Sequence, residues 1–232
     1  MTHSIVKFIL ENNDYFEDFI TRATYHSNAI EGSTLSYAET YAILFNDNSL
    51  TITSTARELY EAINHKYALN YVLRHIDTEL DEKFIKEIAR IINRNIQEIS
   101  GYRTQSVIIR GAEHLPPPPH EVPTRMMYYV YNYHHTHYNT IFEKIAEQHI
   151  LFEQIHPFAD GNGRTGRLIM NFELIKNELP PLVIEKESRT KYFEFLSKGD
   201  VKGLADFIQV TVEKEQQRIH YFKQRSIELE RD

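Results

Sequence analysis

The chain has 232 residues, 41% of them hydrophobic and 25% charged, with a net charge of −7 and no cysteine. Such a composition suits one large globular domain or two small ones, and it excludes disulfides and thiol catalysis. A net negative charge disfavours non-specific nucleic-acid binding, no run of about 18 apolar residues offers a membrane span, and the N-terminus lacks a signal-peptide pattern, so a cytoplasmic protein that binds neither membrane nor nucleic acid is expected.

Helical periodicity dominates, and the chain reads as all-α, one domain with no long linker. The first helix of interest covers 21–30 and is closed by Gly32 as a C-terminal cap. Glu31 then sits in the last turn, where a carboxylate opposes the helix dipole and calls for a cationic partner. Ser27 lies one turn earlier on the same face. Ser36 with Glu39, and Thr55 with Glu58, have capping-box spacing and open helices over 36–45 and 55–76. Over 81–96, Ile85, Ile88, Ala89, Ile92 and Ile96 recur at helical spacing.

Residues 104–123 break the pattern. Val107, Ile108 and Ile109 form a β-branched run, Gly111 signals a turn, and Pro116 to Pro119 end the second leg. This predicts a small β-hairpin flap whose free edge takes an extended peptide by β-augmentation; the alternative is a surface loop with a stiff exit. The aromatic-rich stretch 126–138 divides between a core helix and a candidate homo-oligomer face. His134 and His137 share a helical face there, but no carboxylate accompanies them and no metal site is expected.

Helical pattern resumes over 146–155 and stops at His156, because Pro157 disfavours helical dihedrals in the residue before it. The next stretch is HPFADGNGRTGR, 156–167, and after it Leu168, Ile169, Phe172 and Ile175 form the buried stripe of another helix. The stretch is therefore a loop delivered onto a helix N-terminus, which offers unpaired N–H groups and a positive dipole end. Three of the chain's eight glycines fall at 161, 163 and 166, and the first two let successive N–H groups converge on one anion. Asn162 adds a side-chain amide, and Arg164 and Arg167 add planar forks suited to phosphate. The run Gly161, Asn162, Gly163, Arg164, Thr165, Gly166 and Arg167 reads as a polyphosphate cradle. Asp160 tolerates phosphate only through a hard cation such as Mg²⁺. His156, at the edge of the cradle, can take a proton from a hydroxyl near neutral pH. A base, a metal carboxylate and an anion hole point to phosphoryl or nucleotidyl transfer. The lysine of a phosphate-binding loop is missing, and no strand precedes the glycines. A mostly solvated, charged helix is expected to close the chain.

The twelve residues resemble the signature of the Fic family, HPFx(D/E)GNGRxxR, at every defined position, and the resemblance extends over roughly 50–210. It implies a single Fic-type helical bundle with a β-hairpin flap. It also implies transfer of AMP from ATP to a hydroxyl of a target protein, or of the protein itself, with release of pyrophosphate. By resemblance, His156 is the base, Asp160 the Mg²⁺ ligand, and Gly161, Asn162, Gly163 and Arg164 the hole for the α- and β-phosphates. Arg167 is the γ-phosphate partner and Phe158 a core anchor. Related Doc toxins carry lysine where Gly163 stands and act as kinases, so glycine favours AMP transfer. Residues 189–200 are similar to a family segment whose tyrosine lies beside the adenine, which makes Tyr192 the candidate nucleobase contact. SNAIEG, 27–32, resembles the family's inhibitory motif (S/T)xxxE(G/N). That implies bidentate pairing of Glu31 with Arg167, supported by Ser27, and no need of a separate inhibitor chain. The expected organisation is 1–50 as an N-terminal helical region with the inhibitory helix at about 21–31, 51–212 as the catalytic core, and 213–232 as the tail. Alternatives are a nucleotide-binding regulatory module, a phosphotransferase, or removal of AMP from a target.

Overall fold

The computed structural model describes residues 3–45, 51–108 and 115–229. Among these, ten α-helices and two short 3-10 turns form the architecture, with no strand. The helices are α1 (Ser4–Glu11), α2 (Asn13–Ile30), α3 (Tyr37–Phe45), α4 (Ala56–Arg74), α5 (Glu82–Ile92), α6 (Val122–His135), α7 (Ile141–Ile155), α8 (Asn162–Lys176), α9 (Arg189–Lys198) and α10 (Val201–Leu229). No helix among the described residues is long and apolar enough to cross a membrane.

Local chemistry sets the helix ends. Thr55 and Glu58 make the full reciprocal capping box that opens α4. Ser36 and Glu39 exchange the same pair of bonds ahead of α3. α2 starts earlier than its periodicity predicts because Asn12 caps it, accepting from the Tyr15 N–H. It ends in a Schellman turn: Gly32 N–H bonds Ala29 O, Ser33 N–H bonds Asn28 O, and Gly32 takes φ 104°. α5 ends at Ile92 rather than continuing to 96. There the Asn93 amide turns back onto Ala89 O, and Asn95 adopts φ 61°.

α8 is the central helix, packed against α2, α4, α5 and α7. It is apolar on two sides. Leu168, Ile169, Phe172 and Ile175 join a main core with Phe19, Phe84, Ile88, Phe152 and Phe158. Met170 and Leu174 join a second core with Ile30, Ile145, Tyr192, Leu204 and Ile208. A helix buried all round has its polar residues forced into specific pairing, and α8 carries both cradle arginines.

α10 runs unbroken to Leu229 and beyond 212 is mostly exposed, the solvated helix expected there, with Glu215, Ile219 and Phe222 as its buried stripe. Arg22 clamps Glu215 with two nitrogens at 2.7 and 2.9 Å, and the Tyr15 hydroxyl donates to the same carboxylate. In the expected flap, Val107 and Ile108 form no strand, and Ile108 is 81% exposed; Ile109 and the Gly111 turn lie outside the described residues. Arg103 takes the place of a ladder. It donates to Gln105 O and to Pro117 O, while Pro116 to Pro119 supply no N–H groups for pairing. In α6, Met126, Tyr129 and Tyr133 are buried, whereas Met127, Tyr128 and Tyr131 are exposed.

The Arg22–Glu215 clamp ties the N-terminal region to α10. Arg22→Ala strands a buried carboxylate, and the expected loss of stability is about 3 kcal/mol. Urea denaturation checks this; a midpoint like that of the parent chain would show that the clamp contributes nothing.

Candidate active site

The loop starts from a strained residue. His156 caps α7 in the left-handed region, φ 49° and ψ 62°, which is costly for a non-glycine. Its N–H bonds Phe152 O at 2.9 Å, and Arg103 Nε donates to its carbonyl at 2.8 Å. Phe158 is fully buried two residues on, the core anchor expected of it. Asn162 then closes the loop on itself, its Oδ1 accepting from Phe158 N–H and its Nδ2 donating to Phe158 O, both at 2.9 Å. The Asn162 amide therefore holds the loop and is not free for an anion, contrary to the sequence expectation. Gly161 turns the chain into α8 with φ 73°; a Cβ there would come within 2.8 Å of Asn93 and Ile92 side chains.

The first helical bond of α8 runs from Thr165 N–H to Gly161 O. The N–H groups of Asn162, Gly163 and Arg164 thus have no partner within the helix. They stand at a cleft of about 490 Å³ lined by Glu31, Arg57, Glu61, His156, Asp160, Gly161, Asn162, Gly163 and Arg164, a size typical of small-molecule sites.

On one side of the cleft Asp160 meets two guanidiniums. Arg164 reaches its Oδ1 at 3.2 Å, Arg57 bonds its Oδ2, and Gly161 N–H donates to it at 2.6 Å. Glu61 holds both arginines from behind, at 2.9 Å from Arg57 Nε and 3.2 Å from Arg164. On the other side Arg167 is 6% exposed. It donates from Nε to Ser27 Oγ at 3.0 Å, and from one terminal nitrogen to Ser27 O at 2.9 Å and Glu31 Oε1 at 2.7 Å. The pairing with Glu31 uses one nitrogen, not the expected two, because Ser27 occupies the rest of that edge. The Glu31 carboxylate lies directly on Gly163: a Cβ at 163 would collide with its Oε1.

Two expected cradle residues and the candidate nucleobase contact face elsewhere. Thr165 is fully buried. Gly166 faces α7, where a Cβ would lie 2.7 Å from Glu153 Oε1 and 2.8 Å from the His149 ring; it is a packing glycine. Tyr192 is completely buried in the second core, its hydroxyl 2.7 Å from His149 Nε2, and does not line the cleft. The flap residues Val107 and Ile108 do not line the cleft.

Burial, reinforced by the charge of Arg167, drives both His65 and His149 down to about 3, so both imidazoles are neutral. Burial, then the charge of Glu31, pushes the Glu153 carboxyl up to about 8. Sequence reasoning missed Arg57, Glu61, Asn93, Arg103 and Glu153. Only the last carried any signal, its position one turn before His156.

Residues 79–174 match the family model described as Fic/DOC family. The chain carries a Fic domain. Over 200 residues, 82% of this chain, it is 32% identical to the protein adenylyltransferase Fic of Drosophila melanogaster and 30% to that of Drosophila virilis. The chain spans 40% of the length of those relatives. Among solved structures, a Fic domain containing signaling protein from Bacteroides thetaiotaomicron superposes with a TM-score of 0.80 at 23% identity, covering 94% of this chain and 91% of that one. Fic-1 from C. elegans gives 0.76 at 25% identity, covering 97% of this chain and 67% of that one. The helical architecture around α8 is thus the Fic fold.

The packing role of Gly166 is checked by Gly166→Ala. The added methyl must displace Glu153 or His149, and the expected cost is about 1–3 kcal/mol of stability. Thermal or chemical unfolding measures it; an unchanged midpoint would return Gly166 to the cradle.

Proposed function

We propose that this Fic domain is an autoinhibited protein adenylyltransferase, moving AMP from ATP to a hydroxyl of a target protein or of the chain itself. The observation that carries the proposal is the place of the Glu31 carboxylate. An anion of the chain's own lies on Gly163 at the open end of α8, bonded to Arg167 and across the cleft that His156 lines. A site that already attracts a carboxylate is electrostatically suited to phosphate.

In this reading His156 removes the proton from the acceptor hydroxyl. The hydroxyl oxygen forms a bond to the α-phosphorus, and the bond from that phosphorus to the bridging oxygen breaks, so pyrophosphate leaves with the displaced electron pair. The N–H groups of Asn162, Gly163 and Arg164 and the Arg164 guanidinium stabilise the charge on the phosphates. Arg167, once released, holds the terminal phosphate and sets the leaving group in line with the incoming oxygen. Asp160 fits Mg²⁺: its carboxylate already draws two guanidiniums, and among the described residues no cluster of three potential ligands surrounds it, so phosphate oxygens must complete the shell. A bound Mg²⁺ would shield the phosphates from Asp160 and stabilise the departing pyrophosphate. Residues 1–50 then form the regulatory region, 51–212 the catalytic core and 213–232 the tail, which to Leu229 continues the helix that braces both.

His156→Ala is expected to lower AMP incorporation from labelled ATP by about 10²–10⁴-fold, with ATP binding retained. Wild-type incorporation by that variant would overturn the assignment of the base. Asp160→Ala should lose the part of the activity that chelation of divalent metal abolishes in the parent chain.

Glu31→Gly is expected to raise incorporation. A charge-assisted contact of about 1.5–3 kcal/mol corresponds to a gain on the order of 10–100-fold in the productive pose. The double variant with Arg167→Ala should lose that gain, since both changes act through one guanidinium. Equal incorporation by the parent and Glu31→Gly, both folded, would remove autoinhibition and leave the transfer chemistry standing.

A further inference from the structure

Arg103 is a buried cation, 5% exposed, and among the described residues its guanidinium meets carbonyl oxygens and no carboxylate. An arginine stays charged in any protein interior, and a buried charge is costly unless its donors are satisfied. Three of the carbonyls it meets are consecutive in the chain. Nη2 donates to Ile155 O at 3.4 Å, Nε donates to His156 O at 2.8 Å, and the Arg103 main-chain N–H donates to Pro157 O at 2.9 Å. The other two acceptors are Gln105 O, at 3.1 Å from Nη1, and Pro117 O, at 2.6 Å from Nη2.

The carbonyls of 155–157 converge where His156 takes its left-handed conformation and turns the chain out of α7. A non-glycine residue persists in that region when its surroundings over-determine it. The C-terminal end of α7 also carries the negative end of the helix dipole, which suits a cation. Beside Arg103, the Tyr102 ring packs on Phe158 with centroids 5.8 Å apart, so residues 102 and 103 together back the loop from 155 to 158. The cradle further along is held by other groups. Asn162 closes on Phe158, and the Asn93 amide donates to Asp160 O at 3.1 Å.

We propose that Arg103 is a positioning residue of the base: by binding the three carbonyls of 155–157 it holds His156 in the left-handed conformation that sets its side chain at the cleft. The consequence for rate rests on the adenylyl-transfer reading; the hold on the backbone does not. Without the guanidinium, carbonyls of the loop lose their donors, and the strain at His156 is relieved by a return to negative φ. That return swings the Cβ, and the imidazole with it, away from the acceptor hydroxyl. A displacement of about 1 Å at a reacting group can cost about 10²-fold in rate. Nucleotide binding is left in place, because the N–H groups of Asn162, Gly163 and Arg164 and the Arg167 guanidinium do not rest on Arg103. A lysine keeps the charge but lacks the planar fork that reaches the loop and the 105–117 segment at once.

Kinetics in the Glu31→Gly background, with crystal structures of the same full-length chains, test this. Arg103→Met, which keeps the stem and the volume, is expected to lower kcat on the order of 10–100-fold, with the affinity for ATP measured by calorimetry unchanged. Arg103→Lys is expected to lower kcat by less, and it serves where the methionine variant does not fold. In both, His156 should leave the left-handed region. With His156→Ala already in place, neither change should lower the residual rate further, since both act through one residue; a residue needed only for the fold would lower that rate and ATP affinity together. An unchanged kcat in a folded Arg103→Met, an ATP affinity that falls in step with kcat, or a His156 that stays left-handed in either variant overturns the proposal. So does a crystal structure of the parent chain with His156 outside the left-handed region, whether or not any variant folds. If Glu31→Gly itself transfers no label from ATP, the adenylyl-transfer reading fails, and the conformation of His156 in Arg103→Lys still decides the role of Arg103.

Discussion

The guanidinium of Arg167 is the group around which the rest is arranged. It sits on the helix at the centre of the bundle, almost wholly buried. A buried cation without partners would cost several kcal/mol, so the fold must bring acceptors to it. They come from α2: the hydroxyl and carbonyl of Ser27 and the carboxylate of Glu31. The contact that satisfies the charge also fixes the N-terminal region over the cleft. Two of the three bonds are to Ser27. Loss of Glu31 therefore leaves α2 docked, and on the proposed autoinhibition its release requires no unfolding of the N-terminal region.

The three clustered glycines answer three different demands. Gly161 needs a positive φ and room beside Asn93; Gly163 needs no side chain because Glu31 lies on it; Gly166 lets α7 approach with Glu153 and His149 between. Read as a string, the cluster has one purpose, the binding of an anion. In three dimensions only the first two positions face the cleft, since successive residues at the start of a helix point about 100° apart. The same periodicity explains Thr165, which turns inward next to the cleft-lining Arg164.

Local features were legible in the sequence and distant ones were not. The loop between two helices followed from Pro157 and the glycines, and the capping boxes at Ser36 and Thr55 followed from spacing alone. The pairing of Glu31 with Arg167 joins residues 136 apart and was reached only through family resemblance; helix-end electrostatics demanded a cation without naming it. Arg57 and Asn93 meet the loop from α4 and from the end of α5, and nothing in an arginine or an asparagine on an ordinary helix announces that. α10 is mostly exposed beyond 212, as its charge predicts, but its buried stripe of Glu215, Ile219 and Phe222 was not legible, because a buried Glu reads as a solvated one until Arg22 is beside it. Val107 and Ile108 are β-branched yet take no strand, because β-branched residues favour strands only where a partner supplies N–H groups.

In the proposed function, charge balance connects inhibition to catalysis. Arg57, Arg164 and Arg167 face the carboxylates of Asp160, Glu61 and Glu31, with Glu153 held neutral behind them. The closed site is therefore even in charge, and each guanidinium already has its anion. On the adenylyl-transfer reading, a nucleotide brings more negative charge than one divalent cation cancels. The cleft can accept that excess only if one of its own carboxylates leaves. Asp160 has to stay for the cation, and Glu61 is fixed between two arginines on α4. Glu31 alone sits at a helix end, against the dipole, where its departure costs least. The residue that blocks the cradle is thus the one whose withdrawal the electrostatics of an incoming nucleotide favours.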